Sequence, residues 1–136
     1  MKNEQLFNIY PKRSFSTKDE VLSFIGQESN KLTGVWPTDI KNNLLKRENQ
    51  GSIEIAPGVL LPHFESPSFS KSKVLILPLK PAIRVWNDEI YDVKLVIVIL
   101  LKTDEKKSIK QEITKFTRKL ADDKYLDKLI NVENNK

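Results

Sequence analysis

Val93-Lys94-Leu95-Val96-Ile97-Val98-Ile99-Leu100-Leu101 is the stretch on which the fold turns. From Leu95 onward both alternating faces are apolar, so neither side of a strand built here can face water. Such a strand belongs in the middle of a sheet covered on both sides. The seven apolar residues 95–101 are too few to span a bilayer as a helix, which takes about 20. Beyond them the period changes. Ile109, Ile113, Phe116 and Leu120 step by four, three and four, the apolar stripe of one helix. Asp122 is placed to cap a last helix with Leu126, Leu129 and Ile130 facing inward. The tail from Glu133 to Lys136 should fray.

Upstream, Lys73 to Leu79 predicts a strand ended by the prolines between Pro78 and Pro81. Ile83-Arg84-Val85-Trp86 then forms a separate short strand, and Asn87-Asp88 a turn. Ser66 to Ser72 is polar and loop-like. Ser52-Ile53-Glu54-Ile55 alternates, Ala56-Pro57-Gly58 turns the chain, and Val59-Leu60-Leu61 is a short strand stopping at Pro62. Leu6-Phe7-Asn8-Ile9-Tyr10 reads as a first strand. Thr17-Lys18-Asp19-Glu20 is a capping box opening a helix with Val21, Leu22, Ile25 and Leu32 on its apolar face and Gly34 just past its end. Thr38-Asp39 starts a second helix, carrying Ile40, Leu44 and Leu45 and fraying near Asn49 to Gly51. Strands in the middle with helices at both ends indicate a layered α/β domain with a mixed sheet, one domain over residues 1–136.

Composition narrows the chemistry. The chain has no cysteine, which excludes a disulfide framework, a thiol nucleophile and a cysteine-rich zinc site, and fits a reducing compartment. Met1-Lys2-Asn3-Glu4-Gln5-Leu6 has no apolar run behind its charges and is not a signal peptide, so a soluble, cytoplasmic protein is expected. The net charge is +5, yet the basic residues are dispersed among acids, as in Thr103-Asp104-Glu105-Lys106-Lys107. That pattern is a solvated basic face rather than a nucleic-acid footprint. Trp36, Trp86 and Phe69 are expected in the core.

The single histidine, His63, carries the chemistry. Pro62 fixes the backbone before it, at the end of a short apolar strand and the start of a polar loop, and loops at strand ends are where a rigid scaffold presents reactive side chains. No Gly-x-Ser-x-Gly elbow accompanies it, and one His among scattered carboxylates gives no metal-ligand spacing. What remains is a base or nucleophile. A neutral ring nitrogen can attack phosphorus and form a labile phosphoramidate. Donors are then needed around the oxygens of the group in flight, and Arg47, with its planar fork, is the best candidate. The alternative for Arg47 is a surface pair with Glu48 or Asp39.

The segment Arg47-Glu48-Asn49-Gln50-Gly51-Ser52-Ile53-Glu54-Ile55-Ala56-Pro57-Gly58-Val59-Leu60-Leu61-Pro62-His63 resembles the active-site segment of the fructose–mannitol class of phosphotransferase-system enzyme IIA domains. Arg47 and Glu48 take the Arg and acid/amide places that close a helix in that family. Ile55 and Ala56 take the hydrophobic and small places. Val59 and Leu61 flank the strand that Pro62-His63 closes. Two positions depart: the family usually has Ala where Leu60 stands and a small residue where Phe64 stands. A second His near the start of the penultimate helix is also missing, Lys107 or Ser108 occupying that region.

The resemblance implies an α/β sandwich, a mixed sheet flanked by helices. It implies that His63 accepts a phosphoryl group from the phosphocarrier HPr and passes it to an enzyme IIB component, serving the membrane enzyme IIC indirectly. Arg47 would stabilise the charge. Ser108 could donate to the phosphoryl oxygens, an ordinary helix cap being its other role. Phe64 and Phe69 would form part of the docking face. No metal, organic cofactor, nucleic acid or membrane insertion is implied. The partner HPr would be basic around its own phosphohistidine, so the face around His63 should be less basic than the whole chain. A second reading keeps the fold and changes the job: a regulatory enzyme IIA-like protein whose phosphorylation controls a regulator or transporter by binding.

Overall fold

The computed structural model describes residues 5–11 and 13–132, and the fraying expected for 133–136 lies outside them. Strand β6 (Tyr91–Lys102) holds the centre. It pairs antiparallel with β5 (Lys73–Val85), and parallel with both β3 (Val59–Leu60) and β4 (His63–Ser66), which follow one another along its other side. Beyond β5 lies β1 (Phe7–Ile9), parallel to it; beyond β3 lies β2 (Glu54–Ala56), antiparallel. The sheet is mixed, as expected, with the order β1-β5-β6-β3-β2 and β4 attached to β6.

Alternation along β5 and β6 divides the core in two. Leu75, Leu77, Val96, Val98 and Leu100 face α1 (Lys18–Thr33) and α2 (Pro37–Gln50), meeting Val21, Ile25, Ile40 and Leu44. Val74, Ile76, Leu95, Ile97 and Ile99 face the other way, meeting Phe116 and Leu120 around α3 (Lys107–Lys119) and Leu126 and Leu129 of α4 (Asp123–Ile130). Leu95, Ile97 and Leu100 are fully buried, which bears out the reading of this run as a central strand.

The caps fall where local chemistry puts them. The Thr17 hydroxyl accepts from the Glu20 amide at 3.1 Å, while the Glu20 carboxylate accepts from the Ser16 amide at 2.7 Å. Gly34 closes α1 with φ 83°. Asp122 caps α4 by accepting from the Lys124 amide. The second helix starts at Pro37, a first-turn proline that costs no hydrogen bond.

Three expectations are corrected. Residues 73–85 form one strand, not two. The register against β6 shifts between Pro78 and Ile83, so the ladder is interrupted where the prolines lack donors. Lys80 donates instead to the Arg13 carbonyl. Residues 63–66 are a strand, not the start of a loop. Trp36 is 72% exposed rather than in the core, because it precedes α2 outside the packed face; Trp86 is buried as expected. Among the described residues no helix is long and apolar enough to cross a membrane.

Candidate functional site

The Pro62–His63 step is fixed from both sides. The Leu61 amide donates to the Ile53 carbonyl at 2.7 Å, and the Ile99 amide donates to the Pro62 carbonyl at 3.1 Å. His63 then sits opposite Ile99, the first residue of a four-residue parallel pairing with β6. Successive side chains of a strand point to opposite faces. Phe64 therefore turns toward the α1–α2 core, its ring centroid 5.3 Å from that of Phe69. His63 turns to the α3 side and is exposed.

There it opens into a cleft of about 450 Å³ between the sheet edge and α3. Leu61, Ile99, Leu101 and Ile113 give the cleft an apolar lining. Glu65 lies beside His63 on the strand, and Lys110, Thr114 and Thr117 of α3 complete the wall. The site thus offers one exposed imidazole, one cation, one carboxylate and two hydroxyls around an apolar floor. An attacking nitrogen with hydroxyl and ammonium donors nearby suits transfer of an anionic group.

The proposed site residues are not all gathered here. Phe64 borders the cleft. Phe69 is 2% exposed and cannot form a docking face; it packs behind Phe64 in the core. Ser108 is exposed near the start of α3 and does not line the cleft. It is not the helix cap either, since that position is Lys106. Arg47 is half-buried in the last turn of α2 and does not line the cleft. Its guanidinium donates to the Gly51 carbonyl at 3.4 Å, two residues before Ile53, whose carbonyl holds the backbone at Leu61. Arg47 is thereby tethered to the segment beside Pro62–His63 rather than to a carboxylate. Among the described residues it forms no ion pair with Glu48 or Asp39.

Glu48 points elsewhere. Its carboxylate accepts from Lys18 Nζ at 2.7 Å, Asn87 Nδ2 at 2.7 Å and Trp86 Nε1 at 3.1 Å. These bonds tie the last turn of α2 to α1 and to the β5–β6 connection. Burial alone would push its carboxyl up, but the three donors outweigh it and hold the pKa below the ordinary value of 4.5. A depressed folded pKa means that this stabilisation is present above the unfolded value and is lost as pH falls through the folded one. Glu48→Gln is expected to cost about 1–2 kcal/mol at pH 7. In urea denaturation the gap to wild type should close as pH drops below 4.5 and through the lower folded value; a gap independent of pH would count against this account.

Lys110, Thr114 and Thr117 were missed in the sequence, although a signal existed. They flank the inward stripe that contains Ile113, so whatever faces Ile113 must also meet them. The expectation of a less basic surrounding is met only inside the cleft, where Lys110 and Glu65 balance. The outer face of α3 carries Lys107, Lys110, Lys115 and Arg118.

Comparison with known proteins agrees with this architecture. Residues 3–136 match the family model described as phosphoenolpyruvate-dependent sugar phosphotransferase system, EIIA 2. Among solved structures, the nitrogen regulatory protein IIA-Ntr from Neisseria meningitidis superposes with a TM-score of 0.78 at 15% identity, over 95% of this chain and 90% of that one. IIA mannitol from Escherichia coli superposes with a TM-score of 0.67 at 24% identity, over 93% and 89%. The Escherichia coli complex of enzyme IIA and phosphorylated enzyme IIB for mannitol gives 0.71 at 24% identity, over 95% and 92%. No curated protein matches.

Proposed function

The chain belongs to the EIIA 2 family of the phosphoenolpyruvate-dependent sugar phosphotransferase system, and on that premise we propose that His63 is its phosphoryl carrier. It accepts the group from phospho-HPr and passes it to an enzyme IIB component for sugar uptake. In the first step a neutral ring nitrogen of His63 attacks phosphorus. The new N–P bond forms as the bond to the donor's nitrogen breaks, and the donor imidazole leaves with the electron pair. The second step runs the same chemistry with His63 as leaving group. The observation that carries this reading is the exposed imidazole held at the mouth of a cleft by a backbone fixed on both sides. A complex of enzyme IIA with phosphorylated enzyme IIB is known for the mannitol protein, and supports a IIB as partner here.

Arg47 stabilises charge on the phosphoryl group in this scheme, its guanidinium leaving the long Gly51 contact to do so. Arg47→Ala is expected to slow phosphorylation about tenfold to a hundredfold, with Tm within about 3 °C of wild type because it breaks no ion pair. A much larger fall in Tm would make Arg47 a structural residue.

The test is incubation of the purified protein with phosphoenolpyruvate, enzyme I and HPr, followed by intact mass. An acid-labile phosphoryl adduct is expected, and its absence overturns the proposal. Adding a IIB protein from the same organism should discharge the adduct. A stable adduct that no IIB discharges favours the regulatory reading.

A further inference from the structure

Strand β4 sets a charge problem in the cleft that holds His63. His63 and Glu65 stand two residues apart, so their side chains leave the same face of the sheet, roughly 7 Å apart along the strand. Both are exposed and both line the cleft. A phosphoryl group on His63 brings a dianion into the space beside the Glu65 carboxylate, and like charges this close repel. Glu65 is in no ion pair among the described residues, so its charge is not already offset by one.

Arg47 is outside the cleft and has to leave the Gly51 carbonyl to reach the group. Lys110 of α3 is already there, the one lysine or arginine that lines the cleft among the described residues. It is exposed and forms no ion pair among them. Lys110, Ile113, Thr114 and Thr117 follow at steps of three, one and three, which puts them on one side of the helix, toward the sheet edge. Ile113 and Leu61 give the lysine an apolar surface for its stem while its charged head stays in water. The two hydroxyls differ. Thr117 Oγ1 donates to the Thr114 carbonyl at 2.9 Å, so its proton is taken. The Thr114 hydroxyl, one turn beyond Lys110, makes no such bond among the described residues and is left to donate into the cleft.

We propose that Lys110 is a catalytic residue of the phosphoryl relay: its ammonium binds an equatorial oxygen of the group in flight and offsets the Glu65 carboxylate, with the Thr114 hydroxyl as a second donor. The transition state spreads negative charge over those oxygens, and a cation placed beforehand meets it without having to be brought in. The inference rests on the carrier reading, because the group that Lys110 binds is the one on its way to or from His63.

The test uses phosphoramidate, a donor too small to need a docked protein. The N–P bond to His63 forms as the donor's own P–N bond breaks, and ammonia leaves with the electron pair. Second-order labelling rates are read by intact mass for wild type, Lys110→Met, Lys110→Arg and Lys110→Met/Glu65→Gln. Lys110→Met should label about tenfold more slowly, less than the loss of a buried oxyanion donor costs because this site is open to water. Lys110→Arg should stay within about threefold of wild type, since it restores the charge. Removing the Glu65 carboxylate from the methionine variant should recover about threefold or more, because the two charges are coupled. Melting temperatures should agree within about 2 °C, Lys110 being exposed and methionine a good helix former. Should Lys110→Met fail to fold, Lys110→Gln takes its place. A Lys110→Met rate within about twofold of wild type, a Lys110→Arg rate as low as that of Lys110→Met, or a methionine variant indifferent to Glu65→Gln each overturns the proposal. Those results come with an adduct on the wild type and leave the carrier reading standing. A wild type that neither phosphoramidate nor phospho-HPr labels overturns the carrier reading, and this inference with it.

Discussion

A His63→Ala protein is expected to carry no acid-labile phosphoryl adduct after incubation with phosphoenolpyruvate, enzyme I and HPr, under conditions where the wild type is labelled. The chain has no other histidine and no cysteine, so no second side chain can form the same phosphoramidate or substitute for it as a thiolate. The fold should be indifferent to the change. The imidazole is exposed, and the β4–β6 ladder is made by backbone groups that alanine retains. Tm should stay within about 2 °C of wild type. Labelling of the variant at the wild-type level would place the acceptor elsewhere and remove the basis of the proposed function.

The largest expected effect on stability is at a residue that does no chemistry. Gly58 makes the β2–β3 turn with φ 74°, after Pro57, the pairing that a type II turn requires. A Cβ at this position would clash with the Asp92 carbonyl oxygen, a backbone atom that cannot swing aside. The Gly58 carbonyl also accepts from the amides of Lys94 and Leu95, at 2.8 and 3.2 Å, and its own amide donates to Glu54. Gly58→Ala therefore meets left-handed strain and a clash together, about 2–4 kcal/mol in sum. Tm should fall by on the order of 10 °C. Because β3 leads directly to Pro62–His63, phosphorylation should slow as well. A variant melting within about 2 °C of wild type would show that β6 yields at Asp92.

Both residues lie in the segment whose pattern was most legible in the sequence, but for different reasons. Pro57-Gly58 and Pro62-His63 are local signals, readable because a turn or a fixed backbone depends on neighbours in the chain. The same holds for the Thr17 and Asp122 caps, for Gly34, and for the stripe of α3. Strand β4 was not readable. Only Phe64 and Ser66 face inward at all, and the partner strand that makes His63-Phe64-Glu65-Ser66 extended comes much later in the sequence. The prolines of β5 misled in the opposite direction, since the sheet places its register break where they stand. Ser108 stands near the start of α3, and position along the chain alone does not say what it faces. Which turn of α3 meets His63 is decided by the packing of Phe116 and Leu120 on the sheet, and that packing brings Lys110, Thr114 and Thr117 to the cleft. Trp36 is exposed against expectation, while Phe69 is in the core as its size and apolarity suggest and so cannot belong to a docking face; size and apolarity do not say which side of an element is covered.

The seating of His63 on a strand, rather than on the loop first expected, bears on how a relay keeps time. A loop-borne imidazole would have to be frozen afresh at every encounter, and that ordering cost would be charged to each transfer. Here the backbone is already locked to the central strand β6, and only the two side-chain torsions of one ring remain to be settled. In the proposed relay, donor and recipient would in turn meet the same rigid post, so the difference between charging and discharging would be left to the visitor and to the direction from which it arrives.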